Sequence, residues 1–260
     1  SDEEGEQVRL NTMKLIYDKY GFTENDFLSA ELTLVPAFKA RDVGFDRSMI
    51  GSYGHDDRVC AYPALMAIID SGVTEKTCIT YLADKEETGS DGNTGMQSDF
   101  LRYFIYDLAK SEGEEGYRVL SKSKCLSADV NAAVDPTYEN CFEPKNCSYI
   151  NEGVVISKYT GARGKSGTSD ASAEYMGEVR SMLESNNIIW QVGELGKVDL
   201  GGGGTIAKYV ANMNVDVVDL GVPVLSMHAP FEIVSKVDVY MAYLAFLHFF
   251  FSHFSSILLS

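Results

Sequence analysis

Residues 78–110 read CITYLADKEETGSDGNTGMQSDFLRYFIYDLAK. The apolar run Cys78 to Ala83 has the length of a strand, and charged residues bound it on both sides. A loop with three glycines, Gly89, Gly92 and Gly95, follows it. Met96 to Lys110 then predicts a helix whose apolar residues Phe100, Phe104 and Leu108 share one face. Strand, loop and helix in that order form the repeating unit of an α/β protein, and the chain continues the alternation. Leu126 to Ala128, Val154 to Ser157, Ile188 to Val192, Val215 to Val218 and Val222 to Met227 are further strand-like runs. Between them, Ser169 to Leu183 places Met176, Val179 and Leu183 at helical spacing behind a start suited to capping. The fold class expected is α/β, a mixed sheet flanked by helices.

The two ends read differently from this middle. Ser1 to Asp26 is a charged helical entry, with Leu10, Met13, Leu15, Ile16 and Tyr20 near helical spacing before Gly21. After Asp238 no acidic or basic residue appears, and Val239 to Ser260 includes Phe246, Phe249, Phe250, Phe251 and Phe254. A membrane-spanning helix needs about 20 apolar residues, but His248, His253 and the serines argue against one. A buried or partner-covered terminal helix is expected instead, one whose removal from residue 247 onward improves solubility.

With 260 residues, 45% of them hydrophobic, the chain can bury a sizeable core. Its 38 acidic against 22 basic residues give a formal charge of -16, so the average field repels a phosphate backbone or an anionic membrane surface, and neither nucleic acid nor membrane is the expected partner. The five cysteines are scattered, with neither metal-ligand nor disulfide-framework spacing, which fits a reducing, cytoplasmic compartment. Asn146-Cys147-Ser148 matches a glycosylation acceptor, but the polar first 20 residues contain no secretory signal, so the match reads as chance.

Metal hydrolysis needs carboxylates and imidazoles that converge from several strand ends. Glu86 and Glu87 follow the strand that ends at Ala83, Asp129 follows Leu126-Ser127-Ala128, and His228 follows Val224-Leu225-Ser226-Met227. Because adjacent side chains diverge, Glu86 and Glu87 can divide two jobs, one ligating and one taking a proton from water. Each residue also has an ordinary reading: glutamates as solvated loop charge, Asp56 as a helix cap, His228 as a satisfied turn histidine. Gly201 to Gly204 before Thr205 lacks the phosphate-loop lysine, and no serine nucleophile elbow or cysteine–histidine signature is present.

Six ordered blocks carry a resemblance: Tyr53 to Cys60, Asp84 to Gly95, Ser127 to Asp129, Lys165 to Glu174, Gly201 to Lys208 and Leu220 to Glu232. Together they resemble the aspartyl aminopeptidase family of two-zinc metallopeptidases, in its bacterial branch, from about Asp26 to Ala245. The resemblance implies a zinc-aminopeptidase (phosphorylase/hydrolase-like) architecture. It implies that Asp56 bridges two zinc ions, Glu86 is the general base, Glu87 and His228 ligate the second ion and Asp129 the first. Lys158 resembles a lysine near the substrate's first side chain, where it can pair with a carboxylate.

Family members carry a further metal-binding His in an upstream His-x-Asp motif, ahead of an inserted dimerisation domain. The four histidines here, His55, His228, His248 and His253, do not occupy that place. Residues 1–30 are accordingly expected to be the end of that insert and 31–260 the catalytic domain without its N-terminal part. The function implied is release of N-terminal residues, possibly acidic, from a peptide substrate, with homo-oligomers formed by the full-length protein. One zinc is expected to be held tightly, because the other is left with Asp56 and Asp129. The alternatives are an incomplete module used for assembly or binding, and another two-metal hydrolase such as a deacylase.

Overall fold

The structure, a computed structural model, describes residues 2–163, 166–197, 199–252 and 256–260. Lys165, His253 and Phe254, named above, lie outside the described residues. The chain divides into two units, residues 1–37 and 38–260. The first contains α1 (Asp2–Tyr20), ended by Gly21 at φ 76°, and α2 (Glu24–Phe27). Arg9 joins them by pairing with both Glu6 and Glu24.

The second unit opens with β1 (Arg41–Val43), β2 (Met49–Ser52), α3 (His55–Asp70), β3 (Cys78–Tyr81), α4 (Phe100–Ser111) and α5 (Gly116–Leu120). It continues with β4 (Lys124–Ser127), β5 (Asn131–Ala132), β6 (Val154–Ser157), β7 (Tyr159–Ala162), β8 (Ser166–Asp170) and α6 (Ala173–Ser185). It closes with β9 (Trp190–Val192), α7 (Ala207–Ala211), β10 (Asp216–Gly221), β11 (Pro223–Leu225), β12 (Glu232–Ser235), α8 (Lys236–Phe250) and β13 (Ser256–Leu259). Six strands form one sheet in the order β3-β13-β4-β10-β6-β9, parallel except for the β10–β6 pair. A second sheet runs β1-β2-β12-β11-β5, and β7 and β8 form a separate hairpin.

Period-two alternation sends side chains of the six-stranded sheet into two cores. Leu126, Val218 and Leu258 face a cluster with Ala64 and Ala67 of α3, Tyr175, Val179 and Leu183 of α6, and Phe246, Phe249 and Phe250 of α8. Their neighbours Cys125, Val217 and Ile257 face Leu101 and Ile105 of α4 and Val210 of α7. The mixed sheet flanked by helices is thus present. At α6, Ser172 supplies the cap, accepting the Tyr175 amide at 3.2 Å.

Two expectations are corrected. On α4 the buried stripe is Leu101, Ile105 and Ala109, while Phe100, Phe104 and Leu108 are exposed. Both stripes are apolar at a spacing of four, so periodicity alone does not choose between adjacent faces. The tail is not a single helix either. Helix α8 stops at Phe250, and β13 inserts between β3 and β4 as a parallel strand with Ile257, Leu258 and Leu259 buried. Its uncharged composition is that of a strand covered on both faces. Ile257, Leu258 and Leu259 are core, so the expected gain in solubility on removing residues 247 to 260 does not follow from this structure. No helix among the described residues is long and apolar enough to cross a membrane.

Candidate metal centre

The loops after β3, β4 and β11 and the start of α3 meet at one cavity of about 400 Å³. Beyond β3 the chain enters a short 3-10 turn, Glu86–Thr88, through Lys85 at φ 62°. Asp129 lies two residues past β4, and Gly221 of β10 lets it come close: a β-carbon there would sit 1.6 Å from the Asp129 carbonyl oxygen. His228 follows β11 with φ 64°, the left-handed region that a β-carbon disfavours. Asp56 and Asp57 have non-helical backbone angles within α3. Asp56, Glu86, Glu87, Asp129 and His228 all line this cavity, as their spacing at element ends suggests.

His228 Nε2 lies 2.7 Å from Asp56 Oδ2 and 2.8 Å from Glu87 Oε1. Two groups of metal-ligand type are present among the described residues: Asp56, Glu87 and His228, and Asp56, Asp57 and Asp129. Asp56 belongs to both. Within each group one ligand atom per residue lies within 4.8 Å of the others. Asp57 was missed in the sequence, where its signal was adjacency to Asp56. His55 is buried and joins neither group, and its burial holds the imidazole below its ordinary pKa.

Crowded acids dominate the electrostatics. Burial, then the charges of Glu87 and Asp56, lifts the Glu86 carboxyl to about 7. Burial and Glu87 raise Asp56, with His228 opposing. Burial, Asp57 and Asp56 raise Asp129 well above the usual carboxylate range, and burial lifts Asp57 to about 8. For His228, burial pulls the imidazole down but Glu87 and Asp56 outweigh it, so the net direction is up. The carboxylates repel one another and the imidazole gains from them, which is the balance expected where a cation would be stabilised.

Lys158 does not line the cavity; its Nζ donates to Asp170 and, at 2.8 Å, to the Ala171 carbonyl. Lys208 and Asp219 do line it. Burial lifts the Asp219 carboxyl from 3.8 to about 6, partly offset by the Thr205, Ser127 and Thr160 hydroxyls, and its Oδ1 has no hydrogen-bond partner among the described residues. Between those two values the folded chain keeps a proton that the unfolded chain releases, so this group's contribution to stability falls as pH rises from about 4 to about 6. Asp219→Asn is therefore expected to stabilise the chain at pH 7 by on the order of 2–3 kcal/mol and hardly at all at pH 3.5. Urea unfolding of both chains at the two pH values checks this.

A family model described as aminopeptidase I zinc metalloprotease (M18) matches residues 1–250. The chain belongs to the M18 family. A probable M18 family aminopeptidase 1 of Clostridium acetobutylicum is 51% identical over 242 residues, covering 92% of this chain and 52% of that relative. The crystal structure of aminopeptidase I from the same organism superposes with a TM-score of 0.87 at 50% identity, over 92% of this chain and 52% of that one. The M18 aminopeptidase structure from Thermotoga maritima gives 0.85 at 45%, over 92% and 54%. The chain thus spans about half the length of the M18 relatives it matches. The structure of the S. cerevisiae mApe1 dodecamer, at 22% identity and a TM-score of 0.69 over 83% of this chain and 49% of that one, shares the fold.

The donor set here fits the zinc of an M18 enzyme. The group Asp56, Glu87 and His228 offers one imidazole nitrogen and two carboxylate oxygens, the ligand types of a catalytic zinc. In the second group, Asp57 Oδ1 is buried without a hydrogen-bond partner among the described residues, an acceptor that a cation would satisfy.

Proposed function

We propose that the chain carries the metal-binding part of a zinc aminopeptidase that releases N-terminal residues from peptides. The observation that carries this reading is the convergence of Asp56, Glu86, Glu87, Asp129 and His228 on one cavity, with His228 Nε2 within 2.8 Å of both Asp56 and Glu87. Asp56, Glu87 and His228 would hold one zinc; Asp56 and Asp129, with Asp57 beside them, would hold the other. Bound zinc supplies Lewis acidity to the scissile carbonyl and to the attacking water. Glu86 takes the proton from that water and later returns it to the leaving amine. Its carboxylate is half-buried, faces the cavity and makes no hydrogen bond or ion pair among the described residues, so it is free for that exchange. Glu87, by contrast, is engaged by His228 at 2.8 Å.

A cation on the cavity wall supports the acidic preference implied by the resemblance. Lys208 lines the cavity, is half-buried and makes no ion pair among the described residues. Lys158 can serve a substrate carboxylate only by giving up Asp170. We assign residues 1–30 to the end of an inserted dimerisation domain and 31–260 to the catalytic domain. A homo-oligomer, by analogy with the mApe1 dodecamer, and a cytoplasmic location, which suits five free cysteines, belong to the same proposal.

Ligand chemistry orders the two ions. An imidazole with two carboxylates suits zinc, whereas an all-carboxylate group suits harder cations and should hold zinc more weakly. After dialysis the purified chain is expected to retain about one zinc and to cleave an aspartyl substrate slowly, as measured by metal analysis and a hydrolysis assay. Two tightly held zincs with brisk turnover would raise Asp57 to a full ligand. A chain without zinc would remove the metal reading and leave an assembly or binding module.

A further inference from the structure

The elements bearing Asp56 and His228 are far apart in sequence, and one buried side chain is bonded to both. Glu232, the first residue of β12, is 2% exposed. Its Oε1 accepts the His228 amide at 2.8 Å and its Oε2 accepts the Asp56 amide at 3.1 Å. Both amides are available for structural reasons. His228 sits at φ 64° in the turn after β11, and Asp56 has an extended backbone, at φ −78° and ψ 110°, ahead of the regular helix. The register Glu232↔Ser52 between β12 and β2 brings the carboxylate to the start of α3, so the sheet itself aims it.

A carboxylate is acceptor-only, so two converging N–H groups satisfy it and are fixed by it. A left-handed non-glycine residue persists only when its surroundings hold it there. We infer that Glu232 is a positioning residue that sets the separation of Asp56 and His228, and through it metal affinity, without ligating the metal. The inference rests on the metal reading proposed above.

The test uses the purified chain with zinc or cobalt(II) and a competing chelator. Glu232→Gln keeps the shape but turns an N–H donor toward one of the two amides. Its zinc affinity is expected to fall about 10–100-fold, with a changed cobalt(II) absorption band and unchanged helical circular dichroism. In the metal-free wild type, the Asp56 and His228 amides are expected to exchange with deuterium at least about tenfold more slowly than free amides, because Glu232 holds them before metal arrives. Wild-type zinc affinity in a folded E232Q chain would overturn the inference, as would free exchange of both amides. If E232Q does not fold, the wild-type exchange rates decide. A wild-type chain that takes up no zinc would overturn the metal reading and the affinity consequence with it, while the exchange rates would still decide whether Glu232 fixes the two backbones.

Discussion

Glu86→Gln is expected to lower peptide turnover by about 10²–10⁴-fold, in a polypeptide that carries this segment and cleaves peptides, while bound zinc stays unchanged. The reasoning starts from the two neighbouring glutamates. Glu87 is drawn onto His228 and shares a ligand group with Asp56, so Glu87→Gln should lose metal as well as turnover. Glu86 belongs to neither ligand group. In the metal-free chain, crowding by Glu87 and Asp56 adds to burial in raising its carboxyl to about 7, so Glu86 lies close enough to the other site carboxylates to feel their charge. A Gln of the same volume keeps the packing and removes only the proton acceptor. Parallel zinc analysis and initial rates on the two variants separate the roles. If both variants kept their zinc and only the Glu87 change stopped turnover, the assignment would be reversed.

Deleting residues 256–260 is expected to abolish cooperative unfolding, the largest stability effect foreseen for this chain. Strand β13 hydrogen-bonds to β3 on one side and β4 on the other, and Ile257, Leu258 and Leu259 are at most 2% exposed. Losing one buried Leu to Ala costs about 2–5 kcal/mol, and whole domains are stable by only about 5–15 kcal/mol. Removing three such side chains and two ladders therefore exceeds what the fold can lose. Leu258→Asp, which buries a charge between the sheet and α8, should act in the same direction. Thermal circular dichroism and gel filtration are the checks. A truncated chain with a sharp transition within a few degrees of the parent would show that β3 and β4 close up without β13.

What was legible in the sequence follows from how local the signal is. Val154 to Ser157 reads as a strand because it is a short apolar run of β-branched residues, and the structure returns the same limits with all four residues buried. The site residues are legible because strand ends point at one edge, so an acid or histidine just past a strand is informative wherever its partners lie. Glu232 and Asp219 were not picked out, since their roles come from pairing: Glu232 from the β12–β2 register, Asp219 from lying between β4 and β6 in the same sheet. Lys208 is on α7, and which way α7 faces is settled by the packing of Ala207 and Val210, not by anything in its five residues. The α4 stripe failed for a related reason: Phe104 and Ile105 are both apolar, and tertiary packing chose the second.

Strand β13 also bears on how the chain leaves the ribosome. Synthesis releases β3 and β4 long before β13, so two of the sheet's hydrogen-bonding edges face an open slot while the rest of the domain is being made. Unpaired edges of that kind are templates for any extended segment nearby, including the same slot on a neighbouring nascent chain. The closing contacts are also among the most non-local in the protein, which places them late and makes them slow. Overexpression should therefore favour intermolecular strand exchange over closure, and a holdase chaperone that occupies the slot until synthesis reaches β13 should raise the yield of monomeric chain.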